Sequence, residues 1–346
     1  MRIAQVMAGA EQGGIEMFFE RLVPALARHG HETLAIIRRD ARRAALLRAA
    51  GLEPVQLTFG GLIDILTKPM LRFTLKRFQP DVVIGWMNRA NRHIPNGHYV
   101  RIGRPGGYYS LKYYRGVDHI AYTTQGLVDW AVAQGWPRER ARRVPNFVED
   151  FAGIAAVPRA ELGVREGVPL ALTMGRLHKN KNFPMLLRAV AQVPDLHLLL
   201  AGQGPEEESI RALVDELKLS ARVRLLGWRE DGAALRAAAD MSIVPSDHEP
   251  FGNVVPEAWA SRVPLITTDS QGPAEIVRDG SDALLVPRGD ADAMAAAIRR
   301  LIAEPALAAA LVQAGRRRFE EEYSEAAVVA QWDSFLRDVT TRKVTR

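Results

Sequence analysis

Cysteine is absent from the 346 residues of the chain. Disulfide bonds, cysteine-ligated zinc and iron–sulfur clusters are therefore excluded. Long apolar runs are missing too: a run such as Leu196 to Ala201 has the length of a strand and contains His197, so no segment has the length of a membrane span. The first residues, R-I-A-Q-V-M-A-G-A, are too short for the apolar region of a signal peptide, and we expect a cytoplasmic protein.

Acidic residues are scarce in the first part of the chain. Residues 1–150 contain 22 Lys and Arg against 13 Asp and Glu, a net charge of +9, whereas the remaining 24 basic and 27 acidic residues give −3. A basic half implies an anionic partner: nucleic acid, an acidic membrane face or a phosphorylated acceptor. The length suits two domains rather than one.

Strand and helix patterns alternate along both halves, which predicts two doubly wound α/β domains with parallel sheets. In the first half the strands are expected at 2–8, 32–37, 53–58, 81–86, 98–102 and 117–122. In the second half they are expected at 170–173, 196–200, 223–226, 241–244, 264–267 and 283–286. We place the connection at 145–168, the domains at 1–150 and 151–325, and a final helix at 326–346 that returns to the first domain.

The stretch P-S-D-H-E-P-F-G-N-V-V-P-E (245–257) follows a predicted strand and enters a helix near Asn253, with Pro256 in its first turn. This turn holds Glu249 and Glu257 eight positions apart, and the backbone N–H groups of Gly252 to Val254 can bind an anion. Such a site fits a ligand with phosphate in the middle and hydroxyl groups at both ends, as in a nucleotide sugar. A surface loop with solvated glutamates is the alternative.

Other predicted strand ends carry groups that suit the same ligand. Arg176 and Lys181, in M-G-R-L-H-K-N-K-N-F-P, can bind a diphosphate and neutralise the charge on a departing nucleoside diphosphate. Gly202 lies in the turn A-G-Q-G-P, and Trp228 and Arg229 could cover a nucleobase, although core packing explains Trp228 equally well. Gly13-Gly14 allows backbone to approach a phosphate, or is a plain strand-to-helix turn.

Two basic segments in the first half suggest where an anionic partner binds. Residues 61–78 predict an amphipathic helix with Arg72, Lys76 and Arg77 exposed, which suits either anionic lipid or a solvated helix face. Residues 101–116 place four tyrosines (108, 109, 113 and 114) among four basic residues (101, 104, 112 and 115). Tyrosine faces bind sugar rings and basic groups bind phosphate. Single-stranded nucleic acid uses the same residue types, but no nucleic-acid motif accompanies them, so we expect a sugar-bearing anion and no nucleic acid.

A metal site has one candidate, the pair Asp290-x-Asp292, which resembles a manganese-binding motif. The pair precedes an apolar helix at 291–302, so a helix cap and a first-turn acid explain it, and we expect no metal cofactor.

Six motifs occur together in order: G-G-I-E (13–16), P-N-F-V-E (145–149), G-R-L-x-x-x-K-N (175–182), A-G-x-G-P (201–205), E-P-F-G-N-V-V-P-E (249–257) and E-I-V-x-D-G (275–280). On these motifs the chain resembles the retaining family-four glycosyltransferases of the GT-B fold over nearly its full length. The resemblance implies two Rossmann-like domains facing across a cleft, the second binding the donor and the first the acceptor. Transfer would retain configuration without a metal, the leaving diphosphate helping to deprotonate the acceptor.

The resemblance also assigns site residues. Arg176 and Lys181 match the diphosphate clamp, Glu257 the ribose-binding carboxylate, Glu249 the residue near the donor sugar, and Gly14 the glycine of the N-terminal loop. We expect Arg176, Lys181 and Glu249 to be catalytic. The full donor-binding set is Gly13, Gly14, Arg176, Lys181, Gly202, Trp228, Arg229, Glu249, Pro250, Phe251, Gly252, Asn253, Val254 and Glu257. The acceptor-binding set is Tyr108, Tyr109, Lys112 and Arg115, with no histidine assigned to catalysis.

The leading interpretation is a hexosyltransferase that uses a nucleotide sugar, expected to be a UDP-sugar. Its acceptor is expected to be an anionic lipid-linked or lipopolysaccharide-type glycan, reached by peripheral contact with the inner membrane face. A sugar-nucleotide epimerase of the same architecture is the alternative enzyme, and a basic scaffold with a degenerate cleft is the alternative without catalysis. The presence of Arg176, Lys181, Glu249 and Glu257 argues against the scaffold.

Overall fold

The computed structural model describes residues 1–9, 13–60 and 64–344. The described chain divides into two units, residues 1–147 with 325–346 and residues 148–324. In the described residues no helix is long and apolar enough to cross a membrane.

The first unit is built on seven parallel strands. The strands are β1 Arg2–Met7, β2 Glu32–Arg38, β3 Val55–Leu57, β4 Val82–Trp86, β5 Val100–Arg104, β6 His119–Tyr122 and β7 Ala141–Arg143. The helices between them are α1 Gly14–Arg28, α2 Ala41–Ala49, α3 Thr67–Phe78, α4 Met87–His93 and α5 Gln125–Ala133. The strand order is β3-β2-β1-β4-β5-β6-β7, so the winding reverses between β1 and β4.

The second unit has a sheet of six parallel strands. The strands are β8 Leu170–Met174, β9 His197–Ala201, β10 Val223–Gly227, β11 Met241–Val244, β12 Leu265–Thr268 and β13 Leu284–Val286. The helices are α6 Phe183–Ala191, α7 Glu207–Glu216, α8 Gly232–Ala238, α9 Val254–Ala260, α10 Gln271–Ile276, α11 Ala291–Ala303 and α12 Pro305–Arg318. The order is β10-β9-β8-β11-β12-β13, and the winding reverses between β8 and β11. Ligands of doubly wound sheets bind at such reversals, outside the carboxyl ends of the strands.

Local signals in the sequence set several helix starts. The carboxylate of Asp40 accepts the backbone N–H of Arg43 at 2.9 Å and caps α2. The amide oxygen of Asn182 accepts the N–H of Met185 at 3.2 Å and caps α6. Each bond satisfies a backbone donor that the first turn of a helix leaves unpaired.

The last helix, α13 Glu325–Val344, belongs to the first unit. The last 40 residues carry Phe319, Tyr323, Val328, Trp332 and Phe335 at helical spacing, a stripe that predicts core packing, and this stripe is shared between two cores. Phe319 and Tyr323 pack in the second unit, whereas Trp332 and Phe335 pack beside α1 and β4 of the first. The stripe therefore does not form one helix face: the chain passes from one unit to the other at Ser324, between its two halves.

The prediction of two Rossmann-like parallel-sheet domains is confirmed. The twelve predicted strands are all present, with ends shifted by up to two residues. Strand β7 and helix α4 were not predicted, because three residues of β7 and seven of α4 are too few to show a periodicity.

Candidate active site

The loops that follow β8, β9 and β10 are joined by backbone hydrogen bonds at the carboxyl edge of the second sheet. The N–H of Gly175 donates to the carbonyl of Ala201 at 3.0 Å, and the N–H of Gly202 donates to that of Gly227 at 2.7 Å. Gly202 has a φ of 151°, and a Cβ there would lie 1.9 Å from the carbonyl oxygen of Gly175. Only glycine fits, so the motif A-G-x-G-P holds two strand ends together.

Lys181 and Glu249 meet across the reversal between β8 and β11. The ammonium of Lys181 donates to a carboxylate oxygen of Glu249, and both side chains are mostly buried. The neighbouring Asn182 donates to the carboxylate of Asp247 at 2.9 Å and caps α6 with its own oxygen. The loop after β8 is therefore fixed to the loop after β11 at the point where a doubly wound sheet binds ligands.

The backbone of the E-P-F-G turn is held by the first residues of α10, the helix that follows β12. The carbonyl of Glu249 accepts the N–H of Gly272 at 2.8 Å. Gly252 has a φ of 86°, in the left-handed region that favours glycine. The side chain of Phe251 is 6% exposed and packs beside Tyr323, so only its backbone can face a ligand.

The turn leads into α9 as the sequence predicts. Asn253 precedes the helix, Val254 is its first residue, and Pro256 lies in the first turn. Glu257 is on that turn, and Pro250 is partly exposed beside Glu249. The two glutamates are thus placed by one turn and one short helix.

Glu257 is paired with Arg236 of α8, a residue that the sequence analysis missed. The guanidinium of Arg236 donates to a carboxylate oxygen of Glu257, and the exposed fractions of the side chains are 6% and 14%. Arg236 also lies over the ring of Phe151 at 5.8 Å. A signal was present in the sequence, since an arginine inside the apolar run A-A-L-R-A-A-A requires a partner if it is buried.

Arg176 and Trp228 present exposed side chains after β8 and β10. Within the described ranges Arg176 forms no hydrogen bond or ion pair, so its five donors can bind an incoming anion. Trp228 is 52% exposed, so it is not packed in the core. Arg229 is bound by Asp231, with its Nε 2.7 Å from a carboxylate oxygen, and this hydrogen bond raises the pKa of Arg229 and lowers that of Asp231.

The Gly13-Gly14 turn belongs to the first unit. Gly13 directly precedes α1 and Gly14 is its first residue, whereas positions 10–12 of the same loop lie outside the described residues. A Cβ on Gly13 would lie 2.3 Å from the carboxylate of Glu16, whose side chain is buried. The contact is with the far end of a flexible side chain, so it does not by itself require glycine at this position.

The tyrosine-rich segment is divided between surface and core. Tyr108 is exposed and meets Trp130 edge to face at 5.5 Å, while Tyr109 is half-buried. Lys112 and Arg115 are exposed. The four predicted acceptor residues thus remain accessible at least in part.

Tyr114 and Arg104, which the sequence analysis grouped with these residues, are fully buried. Arg104 donates to the carbonyl of Val144 at 2.6 Å and to Asn146 at 2.8 Å, and burial lowers its pKa to about 9. Both residues therefore have structural roles. Residue type alone does not show whether a basic or aromatic side chain is buried, so the sequence analysis could not separate these two residues from their exposed neighbours.

The aspartate pair has the helix-capping role that the sequence predicts. Asp290 accepts the N–H of Ala293 at 2.9 Å at the start of α11, and Asp292 accepts the side-chain amide of Gln192 at 2.7 Å. Among the residues described, no group of three or more His, Asp or Glu side chains is placed to hold a metal ion.

Family models match both units. Residues 157–318 match the model described as glycosyl transferases group 1, and residues 12–150 match glycosyltransferase family 4. The chain is 36% identical over 335 residues to the lipopolysaccharide core biosynthesis glycosyltransferase LpsE of Rhizobium meliloti, covering 94% of this chain and 95% of that protein. The chain belongs to the family-four glycosyltransferases.

Two further proteins are similar to this family-four glycosyltransferase over nearly its full length. LpsD of the same organism, also a lipopolysaccharide core biosynthesis glycosyltransferase, is 35% identical over 351 residues and covers 99% of this chain and 100% of its own. The crystal structure of HepE from Anabaena in complex with UDP superimposes with a TM-score of 0.85 at 19% identity, over 98% of this chain and 100% of that one.

The predicted family, fold and enzyme class are therefore confirmed: the protein is a family-four glycosyltransferase with the GT-B fold. Neither these family models nor these relatives are epimerases, so the alternative enzyme gains no support. The individual roles assigned to the site residues stay predictions.

Proposed function

We propose that this glycosyltransferase moves a hexose-type sugar from a UDP-sugar to a lipid-linked or lipopolysaccharide-type glycan, with retention of configuration and without a metal. The observation that carries the proposal is the Lys181–Glu249 pair across the reversal of the second sheet. The choice of a UDP-sugar as donor is supported by the solved complex of HepE with UDP-glucose. The choice of acceptor is supported by LpsE and LpsD, which are named as lipopolysaccharide core biosynthesis glycosyltransferases.

The ion pairs suggest how the donor enters the site. In this structure Glu249 neutralises Lys181. A diphosphate replaces that carboxylate as the partner of Lys181. Glu249 then becomes available to accept a hydrogen bond from a hydroxyl group of the donor sugar. Glu257, oriented by Arg236, accepts hydrogen bonds from the ribose hydroxyls, and Trp228 covers the base.

The same groups support transfer. The bond between the anomeric carbon and the diphosphate oxygen breaks, and the electron pair leaves with the diphosphate. Lys181 and Arg176 stabilise that charge more strongly in the transition state than in the ground state. The acceptor hydroxyl attacks from the face that the diphosphate leaves, and its proton passes to a diphosphate oxygen. The two cations supply the charge stabilisation for which other transferases use a metal.

The first unit offers a surface that suits peripheral contact with the membrane. The segment that leads into and forms α3 exposes four large apolar side chains: Ile65, Leu66, Met70 and Phe73. Arg72, Lys76 and Arg77 on the same helix are exposed, as the sequence predicts, and Leu71 and Leu75 are buried. Residues 61–63 of the predicted segment lie outside the described residues. Apolar side chains beside basic ones are typical of helices that bind an anionic bilayer surface. Such contact places the enzyme at the cytoplasmic face of the inner membrane, beside a lipid-linked acceptor.

A transfer assay tests the proposal. The protein is incubated with a panel of UDP-sugars and a truncated lipopolysaccharide, and the new linkage is determined by NMR. We expect one donor to support transfer with the anomeric configuration of the donor, and with the same rate in EDTA. Inversion would contradict the retaining mechanism, loss of activity in EDTA would contradict the metal-free one, and transfer from none of the UDP-sugars would contradict the donor class.

A further inference from the structure

A cavity of about 650 Å³ lies in the first unit. Its lining includes the end of α4, the second residue of β5 and the loop that leads into β6. Arg101 and Arg115 therefore lie toward the amino ends of β5 and β6. The Gly13-Gly14 turn follows the carboxyl end of β1, and a five-residue strand spans about 16 Å. The backbones of Arg101 and Arg115 thus lie nearer the amino ends of the strands than the Gly13-Gly14 turn does.

Four cationic side chains line the cavity, and no carboxylate is found among its lining residues in the described part of the chain. The cations are Arg92, Arg101, Lys112 and Arg115. Arg92 and Lys112 lie on the ring of Tyr113, at 5.9 and 5.0 Å from its centroid. Like charges that converge on one cavity repel one another, and a bound anion relieves that repulsion.

Arg101 is the informative member of this basic cavity, because 91% of its surface is buried. Its guanidinium donates to the side chain of Asn96 at 3.0 Å and to the carbonyl of Asn91 at 3.2 Å. Its Nε is buried without a hydrogen-bond partner, and within the described part of the chain the guanidinium forms no ion pair. The nearby carboxylate of Asp118 accepts the backbone N–H of Arg101 at 2.8 Å instead.

A buried guanidinium bound only to neutral oxygens is unfavourable, and burial lowers the pKa of Arg101 accordingly. A phosphate group would provide the missing negative charge, and arginine donors match its oxygens in a bidentate geometry.

We propose that the basic cavity binds a phosphate group carried by the acceptor, at a distance from the hydroxyl that receives the sugar. The inference rests on the proposed function for its acceptor, but the phosphate site itself can be tested without any transfer. Lys112 and Arg115 of the predicted acceptor set contact this phosphate, and Arg92 and Arg101 join them.

Binding of inorganic pyrophosphate is the direct test. Calorimetry is carried out on protein saturated with UDP, so that the donor site is occupied. The variant Lys112→Ser/Arg115→Ser removes two exposed cations of the cavity. The control Arg48→Ser/Arg138→Ser removes two exposed arginines that pair with Glu53 and Asp129 elsewhere in the unit. We expect the Kd for pyrophosphate to rise about tenfold or more in the first variant and to stay unchanged in the control. Equal affinity in both variants, or no binding to the wild type, would overturn the proposal.

Steady-state kinetics then connect the cavity to the acceptor. With a phosphorylated acceptor the cavity variant should raise KM with little change in kcat, and with the enzymatically dephosphorylated acceptor it should match the control. Deacylated but phosphorylated oligosaccharide separates two sources of phosphate: a retained effect identifies glycan phosphate, and a lost effect identifies phosphate next to the lipid. An identical KM rise for phosphorylated and dephosphorylated acceptors would contradict phosphate recognition. Absence of all transfer by the wild type would refute the proposed function, while leaving the pyrophosphate result to decide on the cavity.

Discussion

Replacing Arg236 with methionine removes the cation that binds Glu257 and keeps most of the side-chain volume. The exposed fractions of 6% and 14% leave this pair largely dry. Removing one partner of a fully buried pair costs about 3–5 kcal/mol, and the residual exposure of Glu257 puts the expected loss of stability at about 2–3 kcal/mol. The same change removes the partner that orients the Glu257 carboxylate, which we assign to binding the ribose hydroxyls. UDP should therefore bind about 10- to 100-fold more weakly, equivalent to about 1–3 kcal/mol.

A double-mutant cycle on UDP binding distinguishes a role of Arg236 in orienting Glu257 from a role in stabilising the fold alone. Glu257→Gln should weaken UDP by a similar factor, and the double variant should be no weaker than either single variant. The coupling energy is then about 1 kcal/mol or more. The assay is calorimetric titration with UDP, with Arg262→Met as a control for the loss of one exposed charge. Additive effects, or an unchanged Kd for UDP in a folded but destabilised Arg236→Met protein, would refute the assignment of Arg236 as the residue that positions Glu257.

Three other predictions follow from the contacts. The Arg316 guanidinium holds the pKa of Asp150 at about 2, below its ordinary 3.8. The stabilisation is complete above about pH 4 and lost toward pH 2, so Asp150→Asn should lower the unfolding free energy by up to about 1 kcal/mol near pH 6 and not at pH 2 in thermal denaturation. Gly202→Ala should destabilise the second unit by more than about 2 kcal/mol in urea, because its Cβ would meet the carbonyl of Gly175; a stable variant would contradict the close approach. Phe73→Ser should reduce sedimentation with anionic vesicles and leave UDP affinity intact. Undiminished sedimentation would contradict the proposed contact of α3 with the membrane.

Much of the fold can be predicted from the sequence because strand periodicity and glycine turns are local signals. The alternation of strands with helices determines the parallel sheets, and the carboxyl ends of parallel strands lie at one edge. The sequence thereby brings Lys181 and Glu249, 68 positions apart, to the same edge. Their direct pairing could not be predicted, because it depends on the loop conformations after β8 and β11.

Burial is the information that residue type does not provide. Arg104 and Arg101 occur in one strand, yet the first is bound to Val144 and Asn146 and the second lines a cavity. Arg236 and Glu257 come from different helices and are 21 positions apart, so their pairing depends on tertiary packing. Each of these differences is set by neighbours that are distant in the chain.

The kcat of Lys181→Ala, measured beside Lys179→Ala, tests the central claim most directly. Both lysines belong to the single 3₁₀ turn Lys179–Lys181, but Lys179 is exposed and Lys181 is paired with Glu249. If Lys181 stabilises the leaving diphosphate, its removal should lower kcat for sugar transfer about 10²-fold or more, while Lys179→Ala keeps wild-type turnover and both variants bind uridine normally. Wild-type turnover in Lys181→Ala would contradict the account.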